Sequence, residues 1–165
     1  MPRLLFQSKR SLALSLIFLL VVHTAKAQGV NFALPNLDNQ TVRLTDFRGQ
    51  WVIVNFWATW CTPCLLEMPD LQQFHQAQHR RVVVIGVNFE DAAASQIQPF
   101  IAKLGITFPI VLSRGQPMTD FKIKGLPTTF LVSPTGQIAD AHLGTVSAAM
   151  LTERLAELER VSKSR

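Results

Sequence analysis

From residue 31 onward, short apolar runs take turns with amphipathic stretches, and no repeat or linker interrupts them. Asn31 to Leu34 and Thr41 to Leu44 read as short extended pieces around the turn-like Asp38-Asn39, followed by a turn at Thr45 to Gly49. Trp51 to Trp57 is almost wholly apolar and rich in β-branched and aromatic residues, as in a central strand buried on both faces, although periodicity alone does not separate it from a buried helix. From Pro63 the period changes, with Leu65, Leu66, Met68, Leu71, Phe74 and Ala77 on one broad helical face and a kink expected at Pro69. Val82 to Val87 is a second buried run, so the order is strand, helix, strand.

The same alternation continues. Ala92 to Leu104 predicts a helix, broken or kinked near Pro99 and closed by Gly105; Phe108 to Leu112 predicts a third strand, and Pro117 to Phe121 a short helix. Thr128 to Val132 and Ile138 to Leu143 flank the hairpin signal Ser133-Pro134-Thr135-Gly136. Ser147 is placed to cap a last amphipathic helix carrying Met150, Leu151, Leu155 and Leu158. The fold class is therefore α/β, a central mixed sheet with helices on both faces, ending in an antiparallel hairpin.

The first 27 residues differ from the rest. Arg3, Lys9 and Arg10 precede the apolar stretch Ser11 to Val22, and Ala25-Lys26-Ala27 forms an A-x-A site before Gln28. Residues 1–27 read as a signal peptide and 28–165 as a single domain. The apolar stretch is shorter than the roughly 18 to 20 residues of a membrane-spanning helix, which makes a retained N-terminal anchor the alternative. Four of the 16 Lys and Arg fall in this segment, where there is no acid; the other 12 face 11 acids. The basic pI of 9.8 thus belongs mostly to the leader and gives no electrostatic case for nucleic-acid binding. The chain is expected outside the cytoplasm, in the periplasm or an equivalent oxidising space.

The sharpest chemistry is Trp60-Cys61-Thr62-Pro63-Cys64, where a buried strand passes into a helix. Pro63 suits a first helical turn, which places Cys61 at the helix N-terminus and Cys64 one turn on, within bridging reach. Free amides and the helix dipole favour a thiolate at Cys61: a thiol of pKa about 8.5 is a few per cent ionised at pH 7, one near 7 is half ionised. Cys61 is the expected attacking sulfur and Cys64 the less exposed resolving sulfur. A purely structural bridge is a poor staple here, because a loop this short removes little chain entropy. A metal site would need more ligands than the two thiols; His75 and His79 lie three to four turns further along, on what reads as a solvated helix face, and His142 is the other histidine beyond the leader.

The run Val54 to Cys64, with Glu67, Pro69 and Gly125-Leu126-Pro127-Thr128-Thr129-Phe130, resembles the exported TlpA-like branch of the thioredoxin superfamily, a resemblance that covers essentially residues 30 to 160, including an N-terminal extended segment and a helix-strand insertion between 91 and 112. It implies a protein thiol-disulfide oxidoreductase without cofactor or metal. It implies a cis Pro127 facing the cysteines and a Leu126 backbone that pairs with an extended partner segment, and it supports a proton relay to or from Cys64 at Glu67, which three residues after Cys64 lies on nearly the same helix face. Asn55 stands where cytoplasmic thioredoxins carry a buried Asp, which shifts the relay to Glu67. Trp57 reads as core; Trp60, Thr62 and Pro63 read as the rim that meets the partner. Peroxidases of related fold carry a Thr three residues before the reactive cysteine, where this chain has Ala58. The implied partners are disulfides or thiols of other exported proteins and a membrane thiol-electron transporter, with the protein acting as a monomer. The branch includes cytochrome c maturation and spore-related reductants as well as general periplasmic thiol reductases. A reductant is the favoured direction; a disulfide-donating oxidant and a metal or haem-apoprotein thiol chaperone without turnover are the alternatives.

Cleavage after Ala27 predicts an exported protein whose mass begins at Gln28; a mass retaining Met1 or Ser11 identifies the anchored form.

Overall fold

A computed structural model describes residues 29–164. The leader, its A-x-A site and the anchor alternative lie outside the described residues. Two short strands, β1 (Ala33–Pro35) and β2 (Thr41–Arg43), pair antiparallel, closed by Asn36, whose Oδ1 accepts from the amides of Asp38 and Gln40. A five-stranded sheet follows in the order β5-β4-β3-β6-β7, made of β3 (Trp51–Trp57), β4 (Val82–Asn88), β5 (Ile110–Leu112), β6 (Thr128–Val132) and β7 (Ile138–Leu143). β3, β4 and β5 run parallel, while β6 and β7 are antiparallel additions on the other side of β3. The helices are α1 (Thr62–Gln78), α2 (Ala94–Leu104) and α3 (Ala148–Lys163).

All seven residues of β3 are buried, as its continuous apolar run predicts. The period of two divides them. Trp51, Ile53 and Trp57 join the core beneath the three helices, with Met68, Leu71 and Phe74 of α1, Ile97 and Ile101 of α2, and Leu151 and Leu155 of α3. Val52, Val54 and Phe56 face a second core with Phe32, Leu34, Leu44, Phe121 and Phe130. That second face is covered by the β1–β2 pair and by two 3-10 turns, Leu44–Phe47 and Thr119–Phe121, so the expected helical cover on both faces is uneven. Asn55 falls on the α1 side of β3, the one polar side chain in that strand.

Several expectations change in detail. The buried stripe of α1 is Cys64, Glu67, Met68, Leu71, Gln72 and Phe74, whereas Leu66 and Ala77 are exposed. The broad apolar face misplaces those two because two polar residues occupy inward positions. Gln72 is held there by Thr107, through Nε2 to Oγ1 at 2.7 Å and Oε1 from the Thr107 amide at 2.8 Å. α2 runs through Pro99 without a break; Pro99 and Ser95 are exposed, so the carbonyl deprived of its donor reaches water. The third strand starts at Ile110, after Pro109. Ser147 caps α3, its side chain accepting from the Met150 amide at 3.2 Å.

Candidate active site

The active-site turn leaves the sheet at the C-terminal end of β3. Trp57 is fully buried, Ala58 follows it into the core, and the carbonyl of Ala58 accepts from the Cys61 amide at 3.2 Å. Cys61 then stands as the N-cap of α1 with Pro63 in the first turn, as the sequence predicts. Its carbonyl accepts from the Leu65 amide at 3.2 Å, so the helix begins hydrogen-bonding at the cysteine itself. Cys61 and Cys64 form a disulfide, their Cα atoms 5.3 Å apart. Cys61 keeps 5% of its surface accessible and Cys64 none, an asymmetry that leaves Cys61 the sulfur a partner can reach. When the bridge opens, the unpaired amides and positive dipole end of α1 stabilise a thiolate at Cys61.

Around the sulfurs, Thr62 and Pro63 are exposed and Trp60 is 69% exposed. The bond Leu126–Pro127 is cis. Pairing of Phe56 with Thr128 sets Pro127 level with Trp57, at the sheet end from which the active-site turn departs. Pro127 is buried, Leu126 half-buried, and the Pro127 carbonyl accepts from the Gly144 amide at 2.9 Å. Two leucines are also exposed: Leu66 on α1 and Leu143, which pairs with Thr128 at the end of β7. The sequence pattern puts Leu66 on the buried face of the helix and does not mark Leu143. The signal for Leu143 is there, because it continues the outward-facing positions of β7, where Ala139 and Ala141 are also exposed.

Glu67, one turn beyond Cys64, is 2% exposed. Its Oε1 accepts from Asn55 Nδ2 at 2.7 Å, and its Oε2 from the Val146 amide at 2.8 Å. Asn55 Nδ2 also donates to Thr129 Oγ1 at 3.0 Å, while Asn55 Oδ1 is buried without a partner among the described residues. Burial pushes the Glu67 carboxyl from 4.5 up to about 7; the bonds from Val146 and Asn55 oppose that rise and the charge of Asp70 adds to it. A carboxyl titrating near neutral pH one turn from Cys64 is suited to exchange a proton with its sulfur.

A second carboxylate braces the turn from the other side. Glu90, just after β4, accepts from the Thr59 amide through Oε1 at 2.8 Å, from the Thr59 hydroxyl through Oε2 at 3.1 Å, and from Asn88 Nδ2 at 2.6 Å. Nothing in the local pattern marks Glu90, since its partner lies 31 residues away. His79 is exposed, but His75 is half-buried, its ring edge-on to Phe108 at 6.0 Å, which corrects the expected solvated face. The segment leading into β5 folds over that side of α1, and burial pushes the His75 pKa down. Ala58 is fully buried and offers no hydroxyl near Cys61.

The mixed sheet, the dithiol at the start of α1 and the cis-proline beside it define a thioredoxin-like thiol-disulfide oxidoreductase. The sequence model described as "AhpC/TSA family" matches residues 25–141, and the chain belongs to that family. It is 33% identical to the thioredoxin-like protein YneN of Bacillus subtilis over 78% of this chain and 76% of that one. It is 34% identical to the thiol-disulfide oxidoreductase ResA of Halalkalibacterium halodurans over 78% and 74%. Among solved structures, StoA from Bacillus subtilis superposes with a TM-score of 0.66 at 30% identity, covering 77% of this chain and 97% of that one. A putative thiol:disulfide interchange protein DsbE from Chlorobium tepidum gives 0.70 at 28% identity, covering 79% and 97%.

The raised Glu67 pKa has a stability consequence. Between pH 4.5 and about 7 the folded protein holds a proton that the unfolded chain has released, so stability falls as pH rises through this window. At 1.36 kcal/mol per pH unit the loss approaches roughly 3 kcal/mol. Urea unfolding at pH 5 and pH 8 is expected to show that decline in the wild type and a much flatter response in Glu67→Gln; parallel declines in the two proteins rule Glu67 out as the source.

Proposed function

We propose that the protein is an exported thiol reductant, acting as a monomer on disulfides of other exported polypeptides. The observation that carries the reading is the pairing of a nearly closed dithiol at a helix N-terminus with a buried, proton-holding carboxyl one turn away. The names of the similar thiol-disulfide oxidoreductases support it, and cytochrome c maturation is the setting that the resemblance suggests.

In the reduced state the Cys61 thiolate attacks one sulfur of the partner disulfide. That S–S bond breaks, a mixed disulfide forms, and the partner's first sulfur leaves as a thiolate that takes a proton from water. Cys64 then gives its proton to the Glu67 carboxylate and attacks Cys61 Sγ. The mixed disulfide breaks, the partner's second thiolate leaves and is protonated, and the Cys61–Cys64 bridge closes. Two electrons pass to the partner, and a membrane thiol-electron transporter restores the dithiol.

Recognition falls to the rim. Trp60, Leu66 and Leu143 offer exposed apolar surface, Thr62 and Pro63 border the attacking sulfur, and the Leu126 backbone pairs with an extended segment of the partner. Such a rim favours an unfolded or loop segment over a closed globular surface.

Insulin reduction with a recycling thiol measures the cycle. Cys61→Ser is expected to abolish turnover, and Cys64→Ser to accumulate the mixed disulfide. Glu67→Gln is expected to slow the resolving step by roughly 10²-fold at pH 7 and to change its pH profile. Rates unchanged from pH 5 to 8 in Glu67→Gln remove the proton-relay role, and binding of metal by the dithiol without turnover favours the chaperone reading.

A further inference from the structure

The inserted unit formed by α2 and β5 has no part in the exchange just described, yet its two ends meet behind the active-site turn. At its start, Asn88 closes β4 and Glu90 follows; at its end, the Ser113 amide donates to the Asn88 carbonyl at 3.0 Å. Asn88 and Ser113 are fully buried, and the Phe89 amide donates to the Trp57 carbonyl at 2.8 Å, which locks the end of β4 to the end of β3. The Glu90 carboxylate leaves this fixed base and takes both hydrogen-bond donors of Thr59, two residues before Cys61, with Asn88 Nδ2 steadying the same oxygen that receives the Thr59 amide.

We propose that Glu90 is a positioning residue for the attacking cysteine: its carboxylate pins Thr59, and through it the turn carrying Trp60 and Cys61, so that the inserted α2–β5 unit sets the geometry of the dithiol. The inference rests on the reading of Cys61 as the attacking sulfur. Three short bonds converge on one side chain, two from backbone and hydroxyl of the same residue, and bonds to an ionised acceptor are the stronger kind. The benefit of the α1 N-terminus to a Cys61 thiolate depends on where the sulfur sits relative to the first amides, and those positions are fixed by the turn that precedes them. Freed from Glu90, Thr59 loses its side-chain anchor, and the thiolate loses alignment with the helix end.

The substitution Glu90→Gln separates geometry from charge. Its amide oxygen still accepts from the Thr59 and Asn88 donors, and its Nε2 can donate to the Thr59 hydroxyl, so the pin survives without the negative charge. The experiment reads native-state alkylation of Cys61 against pH in the reduced full-length protein, with insulin turnover and thermal unfolding measured alongside. Expected are a fall of about 10-fold or more in alkylation rate at pH 7 for Glu90→Ala, with its pH midpoint moved upward, and a rate within about 2-fold of wild type for Glu90→Gln. A lower melting temperature in Glu90→Ala with wild-type alkylation rate and midpoint would overturn the proposal, as would a Glu90→Gln variant as impaired as Glu90→Ala. Should Glu90→Ala not fold, amide hydrogen exchange of Thr59 in the unaltered protein decides: protection comparable to the neighbouring β3 amides is expected, and exchange at the rate of an open loop contradicts the pin. In a Cys64→Ser background, where Cys61 is the one thiol left, the same Glu90 effects on alkylation are expected, which keeps this inference separate from the exchange cycle. If Cys61 does not react at all in the wild type, it is the underlying reading that fails.

Discussion

Burying the Glu67 carboxyl beneath the Cys61–Cys64 bridge sets the terms on which α1, β3 and α3 meet, because a carboxyl withdrawn from water must be given donors from fixed positions. Asn55 supplies one from the centre of the sheet, and the Val146 amide supplies another from the segment leading into α3. Asp70, one turn further, accepts from the Ala148 amide at 3.0 Å and so ties the same helix to the first turn of α3. These bonds fix the rotation of α1 about its axis. With the rotation fixed, Cys64 points into the core and Cys61 stands at the edge, and the chemical difference between two identical side chains follows from that placement.

The active site is therefore held from two sides by carboxylates of different character. Glu67 lies inside, nearly dry and titrating near neutral pH, where a proton can be stored. Glu90 lies at the flank, holding backbone and hydroxyl donors of the turn. Trp60, Leu66 and Leu143 keep large apolar faces exposed.

Much of this was legible in the order of residues. The strand run at Trp51 to Trp57, the change of period at Pro63 and the hairpin at Ser133 to Gly136 all appear where apolar spacing places them, because burial on both faces and turn chemistry leave strong local marks. The dithiol is legible for the same reason: Pro63 and the strand-to-helix junction are local. What spacing did not reveal depends on long-range pairing. Leu66 and Ala77 were assigned to the apolar face of α1 because the rule treats Glu67 and Gln72 as outward, yet each finds buried partners in elements 35 or more residues away or across the sheet. Glu67 is marked both by its place three residues after Cys64 and by the resemblance; no local rule marks Glu90, or the half-burial of His75 under the insertion. Pro99, where the pattern predicts a break or kink, lies inside a continuous helix because the orphaned carbonyl meets solvent.

The direction of electron flow is the claim on which the functional reading turns, and the reduction potential of the Cys61–Cys64 pair in residues 28–165 measures it most directly. Equilibration with glutathione or dithiothreitol is expected to give a value at or below roughly −230 mV, with Cys61 reactive in the native reduced protein. A value near roughly −120 mV would mark a disulfide donor instead, and a bridge that resists exchange altogether would contradict the catalytic account.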